Sequence, residues 1–273
     1  KVEVPGGVTI TPNGLSDELP PEAAPLGRRS LGRSEVIHAS DGPRYACSAV
    51  AGPHSSGVHP ATGEFIASAA DLIIPSVGMD FVFQRTYRSK TGRASGPLGP
   101  GWDHNFNVFA EENGDGTVTI ADGNGRAYTY HPGADGSYTA PGLFREGTFD
   151  VLSNTFSLRH ANGIVWQFNP FNAAVAPGKI ASVIDRNGNE MTLAYDAQGR
   201  LETVTDTLGR DIDFTYDAQD RISTMTDFDG RTLTYGYDAS GNLATVTSPA
   251  VTGTSTGNDF PSGRTVTYGY TSG

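Results

Sequence analysis

YDAQGRLETVTDTLGRDIDFTYD, residues 195 to 217, ends on the two letters with which it begins. Tyr-Asp returns once more at Tyr237-Asp238, so the interval is 21 residues both times. Aligned on that period, GKIASVIDRNGNEMTLAYD (178–196), GRLETVTDTLGRDIDFTYD (199–217), DRISTMTDFDGRTLTYGYD (220–238) and GNLATVTS (241–248) superpose. A further half-unit, GRTVTYGY (263–270), follows an insertion near 249–262.

One unit reads as a β-hairpin. Its second strand alternates, with Met191, Leu193 and Tyr195 on one face, then Ile212, Phe214 and Tyr216, Leu233, Tyr235 and Tyr237, and Val266, Tyr268 and Tyr270. Thr192, Asp213, Thr215 and Thr234 take the other face, the period of two that a half-buried strand requires. In the first strand the apolar residues fall three apart (Ile180/Val183, Leu201/Val204, Ile222/Met225, Leu243/Val246). A β-bulge or a sharp twist reconciles that spacing with a strand, and the Thr-rich ETVTDT argues against the competing reading, a helix.

The turns carry Gly188, Gly209 and Gly230 at one end of the hairpins, and Gly199, Asp220 and Gly241 at the other. Gly263 opens the final half-unit. Of these, Gly199, Asp220 and Gly241 stand where positive φ is needed, which glycine adopts freely and aspartate tolerates. A lone hairpin is marginal in water, so the units must stack to bury their Tyr/Leu face. Asp196, Asp217 and Asp238 form one ladder and Arg210, Arg231 and Arg264 another. We read them as turn caps and as surface ion pairs that set register between units, with a lined, glycan-binding surface as the alternative that regular spacing does not separate.

Upstream the texture changes. Residues 1–57 are rich in Pro, Gly and Ser and read as an extended arm or linker, with short strands expected at VEV and VTI. Residues 58–172 read as an antiparallel β domain. DFVFQRTYRS sets Phe81, Phe83, Arg85 and Tyr87 against Val82, Gln84, Thr86 and Arg88, and glycines stand at each turn of 113–140. Residues 173–273 hold the repeats, and no segment has the period of a helix.

The 273 residues carry a net charge of −11, which argues against a nucleic-acid binder because there is no basic surplus to displace counterions. No apolar run reaches the roughly 18 residues of a membrane span. One cysteine, Cys47, allows no intrachain disulfide. Histidines 38, 54, 59, 104, 131 and 160 are scattered. His54 and His59 share a loop without further ligands, and Asp103 beside His104 in GWDHNF is only a weak suggestion of acid/base work. Glu111, Asn113, Asp115, Gly116 and Asp122 imitate a calcium loop but lack its terminal bidentate Glu. No nucleophile elbow, zinc or phosphate-loop motif occurs, so neither enzyme chemistry nor a cofactor is expected.

The Tyr-Asp unit resembles the YD repeats of RHS proteins. HPATGEFIASAADLIIPSVGMDFVFQRTYRS followed by GPLGPGWDHNFN is similar to the domain of unknown function that opens RHS regions in bacteria. The resemblance implies a sheet of stacked hairpins that spirals into a hollow shell, as in RHS toxins, toxin complexes and teneurins. It implies a structural role, with Tyr195, Tyr216, Tyr237, Tyr270, Leu193, Phe214, Tyr235, Tyr268, Trp102 and Trp166 in the core. It also implies a secreted or surface-displayed bacterial protein whose shell encloses a C-terminal toxin. The expected partners are the rest of a longer chain, copies of itself or cell-surface glycans. The chain opens Lys-Val-Glu and stops at TVTYGYTSG, so we expect a fragment whose last strand leaves Tyr268 and Tyr270 on an open edge.

Overall fold

The computed structural model describes residues 8–12, 55–59, 62–91, 95–254, 257 and 259–270. Cys47, His38, His54 and the expected strand at VEV lie outside them. The described residues are all-β, without a helix. A small sheet runs β2-β3-β4-β5, from β2 (Ser55–His59), β3 (Glu64–Ile74), β4 (Phe81–Arg88) and β5 (Trp102–His104).

The second sheet has sixteen strands and is a meander of neighbours from β6 to β20. It starts with β6 (Val108–Glu112), β7 (Val118–Asp122), β8 (Ala127–Pro132), β9 (Ser137–Thr139), β10 (Arg145–Asp150), β11 (Thr155–His160) and β12 (Val165–Phe168). The repeats supply β13 (Ile180–Ile184), β14 (Glu190–Tyr195), β15 (Leu201–Thr205), β16 (Asp211–Tyr216), β17 (Ile222–Thr226), β18 (Thr232–Tyr237), β19 (Leu243–Thr247) and β20 (Thr265–Tyr270). The sheet curls, because β6 meets the entrance to β13: Ala110 N donates to Gly178 O at 2.7 Å, and Phe109 bridges Lys179.

The outer edge of β20 is not open. It pairs antiparallel with β1 (Val8–Pro12), which corrects the expectation of an exposed final strand. Tyr268 is buried, because the small sheet packs over it. A strand forms at VTI in the arm, where local pattern gave only a weak indication, because β20 offers it a template.

The bulges fall where the three-residue spacing places them. Tyr195 pairs with Leu201 and Ala194 with Thr203, so Glu202 is the extra residue. The same slip recurs at Ser223 and Ala244, and at Ala181 in β13. Leu201 and Val204, like Ile222 and Met225, therefore bury on one face. Each Leu or Ile buried in this way contributes about 1.5–3 kcal/mol. The opposite face is laced by threonines, such as Thr215 with Thr224 at 2.6 Å and Thr226 with Thr232 at 3.0 Å.

Candidate functional site: the seam between the small sheet and the repeats

The repeat unit carries two polar devices. The first is a tyrosine rung. Tyr195, Tyr216 and Tyr237 donate their hydroxyls to the carbonyls of Ile180, Leu201 and Ile222 at 2.6, 2.7 and 2.7 Å. Each acceptor is the residue just before a bulge in the preceding strand, where the ladder skips a residue. Tyr270 makes the same bond to Leu243 O at 2.7 Å, across the insertion. All four phenols are pushed well above their ordinary range by burial.

The second device is an aspartate turn. Asp196 Oδ1 accepts from the amides of Gln198 and Arg200 at 3.0 and 2.9 Å, and its Oδ2 takes Arg200 Nε at 2.7 Å. Asp217 and Asp238 repeat this with Arg221 and Asn242. At the far end of the hairpins Asp185, Asp206 and Asp227 do the same with Asn189, Arg210 and Arg231. The residue closing each turn is left-handed, with φ near 76° at Gly199 and 58° at Asp220. Arg200, Arg210, Arg221 and Arg231 thus bind their own turns, and Arg264 stacks on Phe260, which corrects the expectation that ion pairs register one unit against the next. A guanidinium placed four residues past a turn carboxylate reaches that carboxylate first. The exception is Arg200, whose Nη1 also reaches Asp220 at 2.7 Å.

Burial works against the Asp206 charge, but Arg210 and two turn amides hold the carboxyl below its usual range. The Asn189 side chain and three backbone amides do this for Asp185. Asp206 and Asp227 are almost wholly buried. Sequence reasoning passed over Asp185, Asp206 and Asp227, although VTDTLGR, MTDFDGR and VIDRNGN repeat at the same period.

The small sheet is fastened to this scaffold at three places. In the middle, Arg85 stands in the apolar register of β4 and is fully buried. A bulge in β3 between Ala70 and Leu72 leaves Asp71 as the extra residue and brings its carboxylate to Arg85 Nε at 2.6 Å. Arg85 Nη2 donates to Tyr268 Oη at 2.5 Å, and Tyr235 Oη donates to Asp71 Oδ2 at 3.0 Å. The guanidinium lies 4.8 Å from the Trp102 ring and 4.9 Å from the Tyr268 ring. Burial works against its charge, yet Asp71 outweighs that and raises the Arg85 pKa. Trp102 Nε1 donates to Tyr270 Oη at 2.8 Å, so the last rung is tied to the small sheet as well. Phe83 packs on Phe214 and Tyr235.

The other fastenings lie at the hairpin ends. Arg210 Nη2 donates to Pro75 O at 2.6 Å, and Thr207 Oγ1 donates to Val77 O at 2.7 Å. At the opposite end Ile222 N donates to Pro97 O at 2.8 Å. There Gly99, at φ 84°, lies so close to the Gly241 carbonyl that a Cβ would strike it.

The remaining sequence candidates are dispersed. Leu193 and Phe214 are buried in the repeat core, and Trp166 is half-buried against His160 at its margin. Gly188, Gly209, Gly230, Gly241 and Gly263 all have positive φ. Asp115 caps the turn before β7 through Thr117, and Asp122 caps the turn after it through Asn124, so the two stand at opposite ends of one strand. Among the described residues no three His, Cys, Asp or Glu side chains form a metal-binding group. Asp103 Oδ1 accepts from His104 N and Asn107 Nδ2. His104 is buried, with its pKa lowered to about 3 by desolvation and by Lys179. It lines a cavity of about 180 Å³ with Pro97, Lys179, Arg200, Tyr216 and Asp220.

Bulged hairpins at a fixed interval, with rungs and caps spent on their own scaffold, define a structural β-repeat protein. Residues 178–211, 195–232 and 216–250 match the RHS Repeat, and residues 55–130 match a domain of unknown function, DUF6531. A DUF6531 domain followed by three such repeats is the arrangement of the RHS/YD-repeat family. No curated protein matches it. Among solved structures, a porin-like protein from Bacteroides uniformis ATCC 8492 is similar at 16% identity and a TM-score of 0.27, over 79% of this chain and 95% of that one.

Proposed function

We propose that the chain is a non-catalytic scaffold: the opening section of an RHS shell in a larger secreted or surface-displayed bacterial protein. The repeats are the wall, and the small sheet plugs it by packing against the late repeat strands. The partners are then the remainder of its own chain, further units that extend the wall and a C-terminal effector that the wall encloses. The observation that carries this reading is the Arg85–Asp71–Tyr235–Tyr268 lock, which spends buried charge on holding a separate sheet against the repeats. A seal has to be fixed in one orientation, and a buried, stacked ion pair is suited to that.

The rival reading, an adhesive or glycan-binding module, needs outward-facing aromatics. Tyr235 and Tyr268 are instead covered by the small sheet, and the hydroxyls of Tyr195, Tyr216, Tyr237 and Tyr270 are committed to bulge carbonyls, so that reading falls to the exposed rings of Phe144 and Phe228. The test is the intact mass of the native protein with peptide mapping of its ends. We expect a mass far above 28.7 kDa, with Tyr-Asp units continuing past residue 273. A native mass of 28.7 kDa with saturable glycan binding would overturn the scaffold reading.

A further inference from the structure

Strands β18 and β20 are nearly the same sequence, TLTYGY and TVTYGY. Their outward neighbours are seated in the same register. On β18, Thr247, Val246 and Thr245 stand opposite Thr234, Tyr235 and Gly236. On β20, Thr11, Ile10 and Thr9 stand opposite Thr267, Tyr268 and Gly269. The arm therefore sets Thr-Ile-Thr where a repeat unit sets Thr-Val-Thr. The pattern also holds further back, where Thr224-Met225-Thr226 faces Thr215-Phe214-Asp213.

The likeness stops in two informative places. Leu243 reaches Tyr237 across the bulged Ala244, whereas Val8 meets Tyr270 without a bulge. Strand β1 thus lacks the slipped residue before which a following tyrosine would find its acceptor. It also ends on Pro12, opposite Val266, which has no amide to offer a next strand. Strand β1 thus pairs with β20 but, without a slipped residue and with one amide missing, is a poorer template for a next unit than a repeat strand is.

We propose that the outer edge of β20 is a strand-acceptor site for the first strand of a repeat unit, and that Val8–Pro12 fills it as an in-chain surrogate that ends the sheet. The ligand class is an extended peptide of the form Thr-apolar-Thr, added antiparallel by main-chain hydrogen bonds. In a chain with further units, the strand following β20 competes with β1 for this edge. That consequence rests on the scaffold reading, whereas the acceptor site does not.

The test uses the 273-residue chain and a fluorescent peptide GNLATVTS, the sequence of residues 241–248. Thr9→Pro/Thr11→Pro removes two amides from β1 and frees the edge. We expect the double variant to bind the peptide at least ~10-fold more tightly than the parent chain, with no binding of a scrambled peptide. A folded variant that ignores the peptide, or equal binding by both chains, would overturn the proposal. If the variant does not fold, amide exchange in the parent decides. Amides of β20 as slow as those of β18 support a filled edge, and β20 amides that exchange like a free edge refute it.

Discussion

The hydroxyl of Tyr216 donates to the carbonyl of Leu201, 2.7 Å away and fifteen positions earlier in the chain. That carbonyl precedes the bulged Glu202, so one strand's irregularity is answered by its neighbour's tyrosine. Tyr216→Phe removes the donor and leaves a half-buried acceptor. The expected loss is about 1–3 kcal/mol of unfolding free energy, measured by urea titration, with an unchanged m-value. A loss below a few tenths would mean that water replaces the hydroxyl.

Arg85 and Asp71 form a buried pair, so removing one partner strands the other. Arg85→Met alone is expected to cost about 3–5 kcal/mol, and Asp71→Leu a comparable amount. The double substitution should cost clearly less than the sum of the two. Strict additivity in the double-mutant cycle would show that the pair does not couple.

Acid should weaken the fold in two stages. His104 and His160 are held neutral by burial, with pKa values lowered to about 3 and about 4. The unfolded chain takes up their protons first, so stability is full above about pH 6.5 and falls as pH drops toward those values. Below about pH 4 the turn carboxylates Asp185, Asp196, Asp206, Asp217 and Asp238 join in, since each is held below its usual range. His104→Phe should flatten part of the loss between about pH 6 and 4 in unfolding free energies measured across that range. The same slope in the variant would assign that loss to other groups.

Backbone handedness gives an opposite pair of outcomes. Gly230 has φ 76° with nothing near the place a Cβ would take, so Gly230→Ala should cost about 1–2 kcal/mol through conformation alone. Asp220 holds φ 58° with a side chain, and its ion pair with Arg200 is exposed and screened by solvent, so it adds little. Asp220→Gly should therefore be neutral or slightly stabilising in thermal melts. A Gly230→Ala protein as stable as its parent would refute the left-handed turn.

The hairpins, an irregularity in each first strand and the left-handed positions at Gly199, Asp220 and Gly241 were legible in the sequence because each follows from local spacing. Leu201 and Val204 lie three apart, and that offset is itself the mark of a slipped residue. The seam was half legible. Arg85 stood in an apolar register, a charged residue where Phe81 and Phe83 are buried, which is a sign of a buried partner. Nothing local names Asp71 as that partner, because a bulge in another strand delivers it. The role of VTITP was hidden for a related reason. Five residues become a strand only when an edge more than 250 positions away supplies the other half of the ladder.

Tyr270 reaches back 27 residues to Leu243, whereas the other tyrosines reach back 15, and the bond is the same length as those of Tyr216 and Tyr237. The extra stretch near 249–262 is looped out without disturbing the rung. Periodicity in this architecture is therefore a property of space and not of chain length. A count based on even spacing ends a unit too soon, while one based on which hydroxyl finds which slipped carbonyl keeps going. Such loops are the places where a chain of this kind can acquire new sequence without its wall registering the change.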